Sequence, residues 1–367
     1  MIRVTKPFLP PLNEVLPFIE QMWDSGILSN NGPLHMQLEA EISAFVGVPY
    51  VSLFCNATTA LMTAQQALNV RGEIITTPYS FAATSHAVLW MQNTPVFVDI
   101  DAQSMCMDVN RIEDAITSST AAIMPLHCYG NTCEADAIRE IAEKHGLKVI
   151  YDACHSFGVE DEGGSVLRYG DISVVSFHAT KVFNTFEGGL LVSGNSETKQ
   201  RVDRLKNFGF VDEVTVTDPG LNGKMSEFNA AVGLVQLRHL PEAINRRKNV
   251  DELYRSLLSS VPDIECVDPV GQTIRNYSYF PVLLRASSKI DRDSLYELLL
   301  SEGIHGRRYF YPLISDMPMY RRLPSTRADD LPVASDISRR VLCLPLYPDL
   351  ATADVERICS VIKAGLA

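Results

Sequence analysis

The sequence predicts an α/β protein built on a seven-stranded, mostly parallel sheet with helices on both faces, followed by a smaller α+β region. Two observations support this class. Short apolar runs rich in β-branched residues alternate with amphipathic segments between residues 50 and 193, a pattern typical of parallel sheets with crossover helices. After Leu237 this alternation stops, which indicates a second region of different architecture.

Two helices are expected before the sheet. The N-terminal arm contains Pro7, Pro10 and Pro11 and is too rich in proline to be regular. A first helix is predicted over 13–23. A second is predicted over 34–45, where apolar residues recur at helical spacing.

The sheet itself is predicted from short apolar runs between turn-forming residues. The seven strands are predicted over 50–54, 73–77, 95–100, 121–126, 149–151, 172–176 and 190–193. Helices are predicted among them over 58–68, 80–91 and 133–145.

The C-terminal region is predicted to begin with a helix that leaves the sheet. Its elements are a helix over 241–258, a strand over 277–284 and helices over 292–301 and 353–364. We therefore expect a large domain, 1–240, that includes the N-terminal arm, and a small domain, 241–367.

Composition excludes several classes of function. With 46% hydrophobic and 21% charged residues the chain is an ordinary globular protein, and its net charge of −12 argues against nucleic-acid binding. Eight cysteines form no C-x-x-C pair, so no metal is expected, and G-x-G-x-x-G is absent. No apolar run is long enough to cross a bilayer and no signal peptide is visible, so no membrane partner and a cytoplasmic location are expected.

One lysine stands between two predicted core strands. Lys181 follows the strand that ends at Ser176, and Gly188 and Gly189 precede the next strand. Such a lysine either reaches solvent, as most lysines do, or is held in a pocket. In a pocket, desolvation would lower its pKa and make it a nucleophile towards carbonyls.

A carboxylate follows another predicted strand. Asp152 ends the apolar run 149–151, and ligands of open α/β sheets bind at the carboxyl ends of strands. A buried aspartate needs a cationic partner, which a protonated pyridine nitrogen would supply. Such an aspartate with a Schiff-base lysine is the pattern of a pyridoxal 5'-phosphate (PLP) site. Alternatively, Asp152 caps the segment that follows.

Two motifs together resemble one family. Asp152-Ala153-Cys154-His155 resembles an Asp-Ala-Ala/Cys-Gln/His signature, and Ser176-Phe177-His178 followed by Lys181 and Glu187-Gly188-Gly189 resembles a lysine motif. Both are motifs of the DegT–DnrJ–StrS sugar-nucleotide aminotransferases, which have the aspartate aminotransferase-like PLP fold type I. The resemblance extends from residue 7 to residue 347. It implies PLP as cofactor, Lys181 as its covalent anchor and proton carrier, and Asp152 as partner of the pyridine nitrogen.

The resemblance also implies a phosphate site at a helix start. Residues 55–61 join a strand to a helix, and helix N-termini bind phosphate through free N–H groups. Ala57, Thr58 and the Ser176 hydroxyl are therefore the phosphate candidates. Thr58 as an ordinary helix cap is compatible with this role. Ala57 stands where the family more usually has Gly or Ser.

Two ring-bearing residues complete the cofactor candidates. Phe81 follows a predicted strand and, by the family match, stacks on the pyridine ring; a place in the core is the alternative. His155 is expected near the phenolic oxygen of the cofactor, and a purely structural histidine is the alternative.

A loop is expected to reach a second subunit. The segment 220–227 resembles the family loop Gly-x-Asn-x-Arg/Lys-Met-x-Glu, whose asparagine touches the phosphate in the neighbouring site. Asn222 would then complete the partner's site, making the enzyme a homodimer with shared active sites. Lys224 would meet the diphosphate of the substrate.

The segment 306–313 is the expected substrate-facing part of the small domain, with Tyr309 and Tyr311 as candidates. Family members often have a histidine where Ile314 stands, so a histidine contact is not expected here. Together with 276–281, this segment resembles the subgroup that makes dTDP-4-amino-4,6-dideoxyglucose.

The expected function is transfer of an amino group from L-glutamate to dTDP-4-keto-6-deoxy-D-glucose, for O-antigen or other glycan biosynthesis. A 3-keto sugar nucleotide is the alternative substrate. Dehydratase relatives carry histidine where Lys181 stands, which argues against that reaction. A PLP-binding regulator without turnover is a further alternative, against which stand the acidic charge and the lack of a flanking DNA-binding module.

Overall fold

The computed structural model describes all residues, Met1–Ala367. Its helices are α1 (Leu12–Ser25), α2 (Pro33–Val46), α3 (Ala57–Ala67), α4 (Ala83–Trp90), α5 (Ala135–His145), α6 (Ser196–Leu205), α7 (Glu227–Leu258), α8 (Arg292–Ser301), α9 (Pro332–Arg340) and α10 (Thr352–Leu366). Its strands are β1 (Val51–Phe54), β2 (Glu73–Thr76), β3 (Thr94–Phe97), β4 (Thr120–Met124), β5 (Lys148–Asp152), β6 (Glu160–Asp161), β7 (Gly164–Ser165), β8 (Ile172–Ser176), β9 (Gly189–Ser193), β10 (Ile264–Cys266), β11 (Phe280–Leu284) and β12 (Val341–Leu344). No helix combines the length and apolar character that a membrane crossing requires.

The large sheet has seven strands in the order β1-β9-β8-β5-β4-β2-β3. Strand β9 is antiparallel to β1 and β8, and the other neighbours are parallel. Neighbouring side chains of β8 show how both faces are covered: Val174 packs in an apolar cluster with α3, α4 and α6, and Val175 packs in another with α2 and α7. The predicted fold class, with helices on both faces of a mostly parallel sheet, is confirmed.

Helix α7 differs from its prediction. The helix predicted from residue 241 begins fourteen residues earlier, at Glu227, and Pro241 lies inside it. A proline removes a single backbone donor, while the apolar face of α7 continues past it through Leu237, Leu240 and Ala243, all buried. Burial of that face outweighs the local cost of the proline, so the predicted boundary at 240 falls within one helix.

The C-terminal part is built around the antiparallel sheet β10-β11-β12. Its core includes Val250, Tyr254 and Leu258 from the end of α7, whereas Leu237 and Leu240 pack with the large sheet. We therefore propose that the two domains divide within α7, between residues 240 and 250. The sequence predicted α8, α10 and the centre of this sheet, but not β10, β12 or α9.

The N-terminal arm lies against the C-terminal part as well as preceding the large sheet. Ile2 is buried in the C-terminal core, donates its N–H to Gly303 O at 2.8 Å and accepts from His305 N–H at 2.8 Å. The first residues therefore belong structurally with the C-terminal part, which differs from the expected domain 1–240. The pairing of an extended arm with the segment that follows α8 is a long-range contact that local patterns do not report.

Glu227 anchors α7 to α2. Its side chain is 1% exposed, and its carboxylate accepts hydrogen bonds from the N–H groups of Leu34 at 2.8 Å and His35 at 2.9 Å. These are the free N–H groups of the first turn of α2, whose preceding residue Gly32 offers no side-chain cap. A carboxylate from another helix thus replaces the missing cap.

Replacing Glu227 by alanine is expected to lower the free energy of unfolding by about 3 kcal/mol, because two buried N–H groups lose a charged acceptor. Urea unfolding monitored by circular dichroism measures this. Glu252→Ala, at an exposed position of the same helix, should change the free energy by less than about 0.5 kcal/mol. Equal effects of the two substitutions would show that the cap does not contribute.

Candidate active site

A cleft of about 400 Å³ opens at the carboxyl edge of the parallel strands. The segments that follow β1, β2, β5 and β8 line it, together with residues of the C-terminal part. The predicted site residues that line this cleft are Ala57, Thr58, Phe81, Asp152, His155, Ser176, Lys181 and Tyr309.

Asp152 ends β5 and is 4% exposed. Its carboxylate accepts the Thr84 hydroxyl at 2.6 Å and the Cys154 N–H at 3.1 Å, and Thr84 is itself hydrogen-bonded to Ser80 at 2.6 Å. Asp152 forms no ion pair within the chain, so only neutral donors hold it. A buried carboxylate held only by neutral donors is a suitable partner for a cationic ligand.

Lys181 lies in the turn after β8, and its amine lies in the cleft, 3.3 Å from the Tyr279 hydroxyl. Burial lowers the pKa of the Lys181 amine, but Tyr279, Cys154 and Asp152 raise it, and the resulting pKa lies above that of a free lysine. The pocketed position is therefore as predicted, whereas a lowered pKa is not found. Sequence reasoning considered desolvation and could not include these three neighbours.

The start of α3 presents free N–H groups to the cleft. The side chain of Asn56 caps the helix by accepting the Thr59 N–H at 2.9 Å, while the N–H groups of Ala57 and Thr58 have no partner in the chain. Unpaired N–H groups at a helix N-terminus attract anions. The Ser176 hydroxyl lines the same cleft, so the three predicted phosphate candidates lie around one space.

The two predicted ring-bearing residues differ in burial. Phe81 is 61% exposed and lines the cleft, so it is not a core residue and its ring is free to stack on a ligand. His155 is buried, and its Nδ1 accepts the Tyr129 N–H at 3.2 Å. Burial lowers the pKa of His155 well below its usual value, as do Lys181 and His127, so the ring is neutral with its proton on Nε2.

Three predicted site residues lie outside this cleft. Asn222 is exposed and pairs through its backbone with Asn207. Lys224 donates to Asn207 Oδ1 at 2.7 Å, and burial together with Lys206 lowers its pKa. Tyr311 is 43% exposed because its ring is held outside the cleft under the guanidinium of Arg292, at 4.7 Å. Tyr311 therefore does not line this cleft, and its contact with the substrate stays a prediction.

Three residues of the site were not predicted. Thr84 and Tyr279 lie within segments that the sequence singled out, but their contacts join elements that are distant in the chain: Thr84 with Asp152, and Tyr279 with Lys181. Arg307 also lines the cleft. The sequence has a second arginine beside it, Arg308, and no local pattern showed which of the two would face the cleft. The one feature of the sequence that pointed to these three residues is that each lies in a segment rich in polar and aromatic side chains.

Comparison with known proteins shows relatives over nearly the whole chain. Residues 13–363 match the DegT/DnrJ/EryC1/StrS aminotransferase family. The chain is 51% identical over 362 residues to dTDP-4-amino-4,6-dideoxy-D-glucose transaminase of Shigella dysenteriae, covering 99% of this chain and 98% of that protein.

Solved structures are similar as well. The crystal structure of DesI in the presence of its TDP-sugar product superposes with a TM-score of 0.93 at 34% identity, covering 99% of this chain and 92% of that one. NtdA from Bacillus subtilis with bound cofactor PMP superposes with a TM-score of 0.87 at 28% identity, covering 97% of this chain and 82% of that one.

A buried histidine beside the cleft makes stability depend on pH. His127 is fully buried, its ring stacks on Tyr151 at 4.7 Å, and its Nδ1 accepts the Cys133 N–H at 3.1 Å. Burial lowers the pKa of His127 from 6.5 to about 4. The unfolded chain therefore binds a proton that the folded protein does not bind between these two values.

The free energy of unfolding is expected to fall as the pH decreases from 6.5 to 4, by about 3 kcal/mol from His127 alone. Urea unfolding at several pH values measures the slope. His127→Gln should reduce that slope, with the remainder carried in part by His155, whereas His305→Gln, which removes no side-chain hydrogen bond, should leave it unchanged. A slope unaffected by His127→Gln would contradict this assignment.

Proposed function

Because this chain belongs to the DegT/DnrJ/EryC1/StrS aminotransferase family, we propose that it transfers the amino group of L-glutamate to dTDP-4-keto-6-deoxy-D-glucose, forming dTDP-4-amino-4,6-dideoxy-D-glucose. The observation that carries this proposal is the placement of Asp152 and Lys181 in one cleft. The transaminase from Shigella dysenteriae, similar over the whole chain, supports the choice of sugar.

The residues of the cleft fit PLP. Asp152 is a buried carboxylate without a cation, which suits a protonated pyridine nitrogen. The free N–H groups of Ala57 and Thr58 suit the phosphate, with the Ser176 hydroxyl beside them. The exposed ring of Phe81 offers a stacking surface. When bound, PLP withdraws electrons from the carbon that gains or loses a proton.

Lys181 is positioned for two tasks. Its amine can hold the cofactor covalently and be displaced by the amine of the donor, and once displaced it can take the proton from the donor's α-carbon. The Tyr279 hydroxyl lies 3.3 Å from Nζ and holds the amine in position when it is not bonded to the cofactor. With the cofactor bound, Asp152 would hold a proton on the pyridine nitrogen. Its hydrogen bonds from Thr84 and Cys154 fix the direction of the carboxylate.

The neutral His155 has a distinct role in this arrangement. Its Nδ1 is occupied by the Tyr129 N–H, so Nε2 is the nitrogen that can donate. A donor that stays neutral at physiological pH can hydrogen-bond the phenolic oxygen of the cofactor without adding positive charge beside Lys181.

The positions of Asn222 and Lys224 support completion of the site by a second subunit. Asn222 and Lys224 belong to the loop that the family resemblance assigns to the neighbouring site, and neither lines the cleft of its own chain. The adjacent hairpin exposes apolar side chains, which are suited to an interface. Those residues are Phe208, Phe210, Val211, Val214 and Val216. We therefore place Asn222 at the phosphate and Lys224 at the diphosphate of the partner's site in a homodimer.

The amino-donor half of the reaction is testable by absorbance. The wild-type enzyme reconstituted with PLP should show the visible band of the bound cofactor, lose it with L-glutamate, and regain it with dTDP-4-keto-6-deoxy-D-glucose. Lys181→Ala should abolish turnover by about 10⁴-fold or more, because no other amine lies in the cleft. A 3-keto sugar nucleotide that restores the band faster would favour the alternative substrate, and absence of any band in the wild type would refute the proposal.

Shared sites are testable by mixing two variants. Lys181→Ala and Asn222→Ala should each be impaired alone, since each damages both sites of its own dimer. After subunit exchange, half of the dimers are mixed and each of these has one undamaged site, so about a quarter of wild-type activity should return. No recovery, with exchange confirmed by mass spectrometry, would place Asn222 in the site of its own chain.

A further inference from the structure

Two adjacent arginines of the C-terminal part have different environments. Arg308 donates to the carboxylate of Asp293 at 2.8 Å and lies over the ring of Tyr296 at 4.5 Å. Arg307 lines the cleft and is exposed, and its guanidinium forms no ion pair or hydrogen bond within the chain. Arg308 is therefore occupied by structural contacts, and Arg307 is free to bind a ligand.

The position of Arg307 is fixed by its backbone. Its N–H donates to Cys343 O at 3.0 Å, and Cys343 N–H donates to Arg307 O at 2.8 Å, which makes an antiparallel bridge to β12. Arg307 thus extends the small sheet and is not part of a free loop. A side chain on such a rigid element reaches a ligand with less loss of entropy than one on a mobile loop.

Two tyrosines of the large domain hold the same segment. The hydroxyl of Tyr129 donates to the carbonyl of Tyr309, and the hydroxyl of Tyr79 lies 2.7 Å from that of Tyr129 and 3.1 Å from the same carbonyl. Both rings are buried. This hydroxyl pair fixes the backbone two residues after Arg307 against the strands that carry the cofactor candidates.

We propose that Arg307 binds a carboxylate of the amino donor. The inference rests on the proposed aminotransferase function. Lys181 and Arg307 are the lysine and arginine side chains that line the cleft, and the Lys181 amine takes part in the chemistry itself. The donor's α-carboxylate is attached to the reacting carbon, so it must enter this cleft and needs a cationic partner there.

The diphosphate of the sugar nucleotide is a less suitable partner for Arg307. In a 4-keto sugar the reacting carbon lies across the ring from C1, which carries the diphosphate, so those charges lie away from Lys181 when the carbonyl carbon is next to it. A guanidinium can donate two parallel hydrogen bonds to either group, so this distance from the reacting carbon, and not the shape of the anion, favours the donor's carboxylate. Tyr79 and Tyr129 act as positioning residues for this contact.

The two half-reactions test the proposal separately. With PLP-loaded enzyme, Arg307→Gln should raise the L-glutamate concentration needed for half-maximal loss of the visible band about tenfold or more, since a charge-assisted contact is lost. Arg307→Lys should recover part of this loss, and Tyr79→Phe should show a smaller change of the same kind. Arg322→Gln, at an exposed position outside the cleft, serves as the matched control and should match wild type.

The second half-reaction starts from enzyme loaded with pyridoxamine phosphate, and dTDP-4-keto-6-deoxy-D-glucose restores the band. Arg307→Gln should keep half-saturation for the sugar within about threefold of wild type. Three outcomes would overturn the inference and leave the proposed function standing: weaker half-saturation for the sugar nucleotide only, equally weakened half-saturation in both half-reactions, or no change in either. A wild-type enzyme that glutamate fails to bleach would overturn the proposed function, and the inference with it.

Discussion

The site depends on the close approach of β9 to the start of α3. Gly189 begins β9 opposite Phe54 of β1 and Ser176 of β8. A Cβ at Gly189 would lie 2.8 Å from Ala57 N, and one at Gly188 would lie 2.1 Å from Thr185 Oγ1. A side chain at Gly189 would require the backbone at the start of α3 to move, and one at Gly188 would displace the side chains of Thr185 and Met225. The two glycines therefore allow one antiparallel strand to enter the parallel sheet beside the anion-binding helix start.

Asp152 and Lys181 do not form an ion pair with each other in the cleft. Asp152 is the last residue of β5, whereas Lys181 lies five residues beyond the end of the neighbouring β8. The nearest hydrogen-bonding partners of both are neutral: Thr84 and Cys154 for the carboxylate, Tyr279 for the amine. An ion pair between them would neutralise both and leave neither for a ligand. Because they do not pair with each other, both side chains remain available to a ligand in the same cleft.

The sequence predicted those parts of the protein whose signal is local. The seven strands and the helices between them follow from apolar patterns, and Asp152 and Lys181 were singled out by short motifs that resemble those of the family. What it missed depends on contacts between distant segments: the passage of α7 through Pro241, the cap that Glu227 provides to α2, and the raised pKa of Lys181. Each of these is decided by side chains far away in the chain, which outweigh the local preference.

The difference between Arg307 and Arg308 shows the same limit within a single dipeptide. In extended backbone, successive side chains point to opposite faces, so the bridge between Arg307 and Cys343 directs one guanidinium into the cleft and the other towards Asp293. The sequence contains both residues but not the register that distinguishes them. Only the pairing with β12, more than thirty residues later, specifies which arginine faces the ligand.

The segment 307–314 is rigid because it is attached at both of its ends. Arg307 pairs with β12, and seven residues later Ile314 N–H donates to Pro78 O of the large domain at 3.0 Å. The chain then covers the edge strand β3, where Ser325 Oγ accepts the Phe97 N–H at 3.0 Å, so that edge is protected from other pairing. Because Asp99 further caps α9 through Val333 and Ala334, the segment 307–314 cannot shift without disturbing the large sheet. The proposed contact of Arg307 with the amino donor is therefore coupled mechanically to the sheet whose strand ends line the cleft.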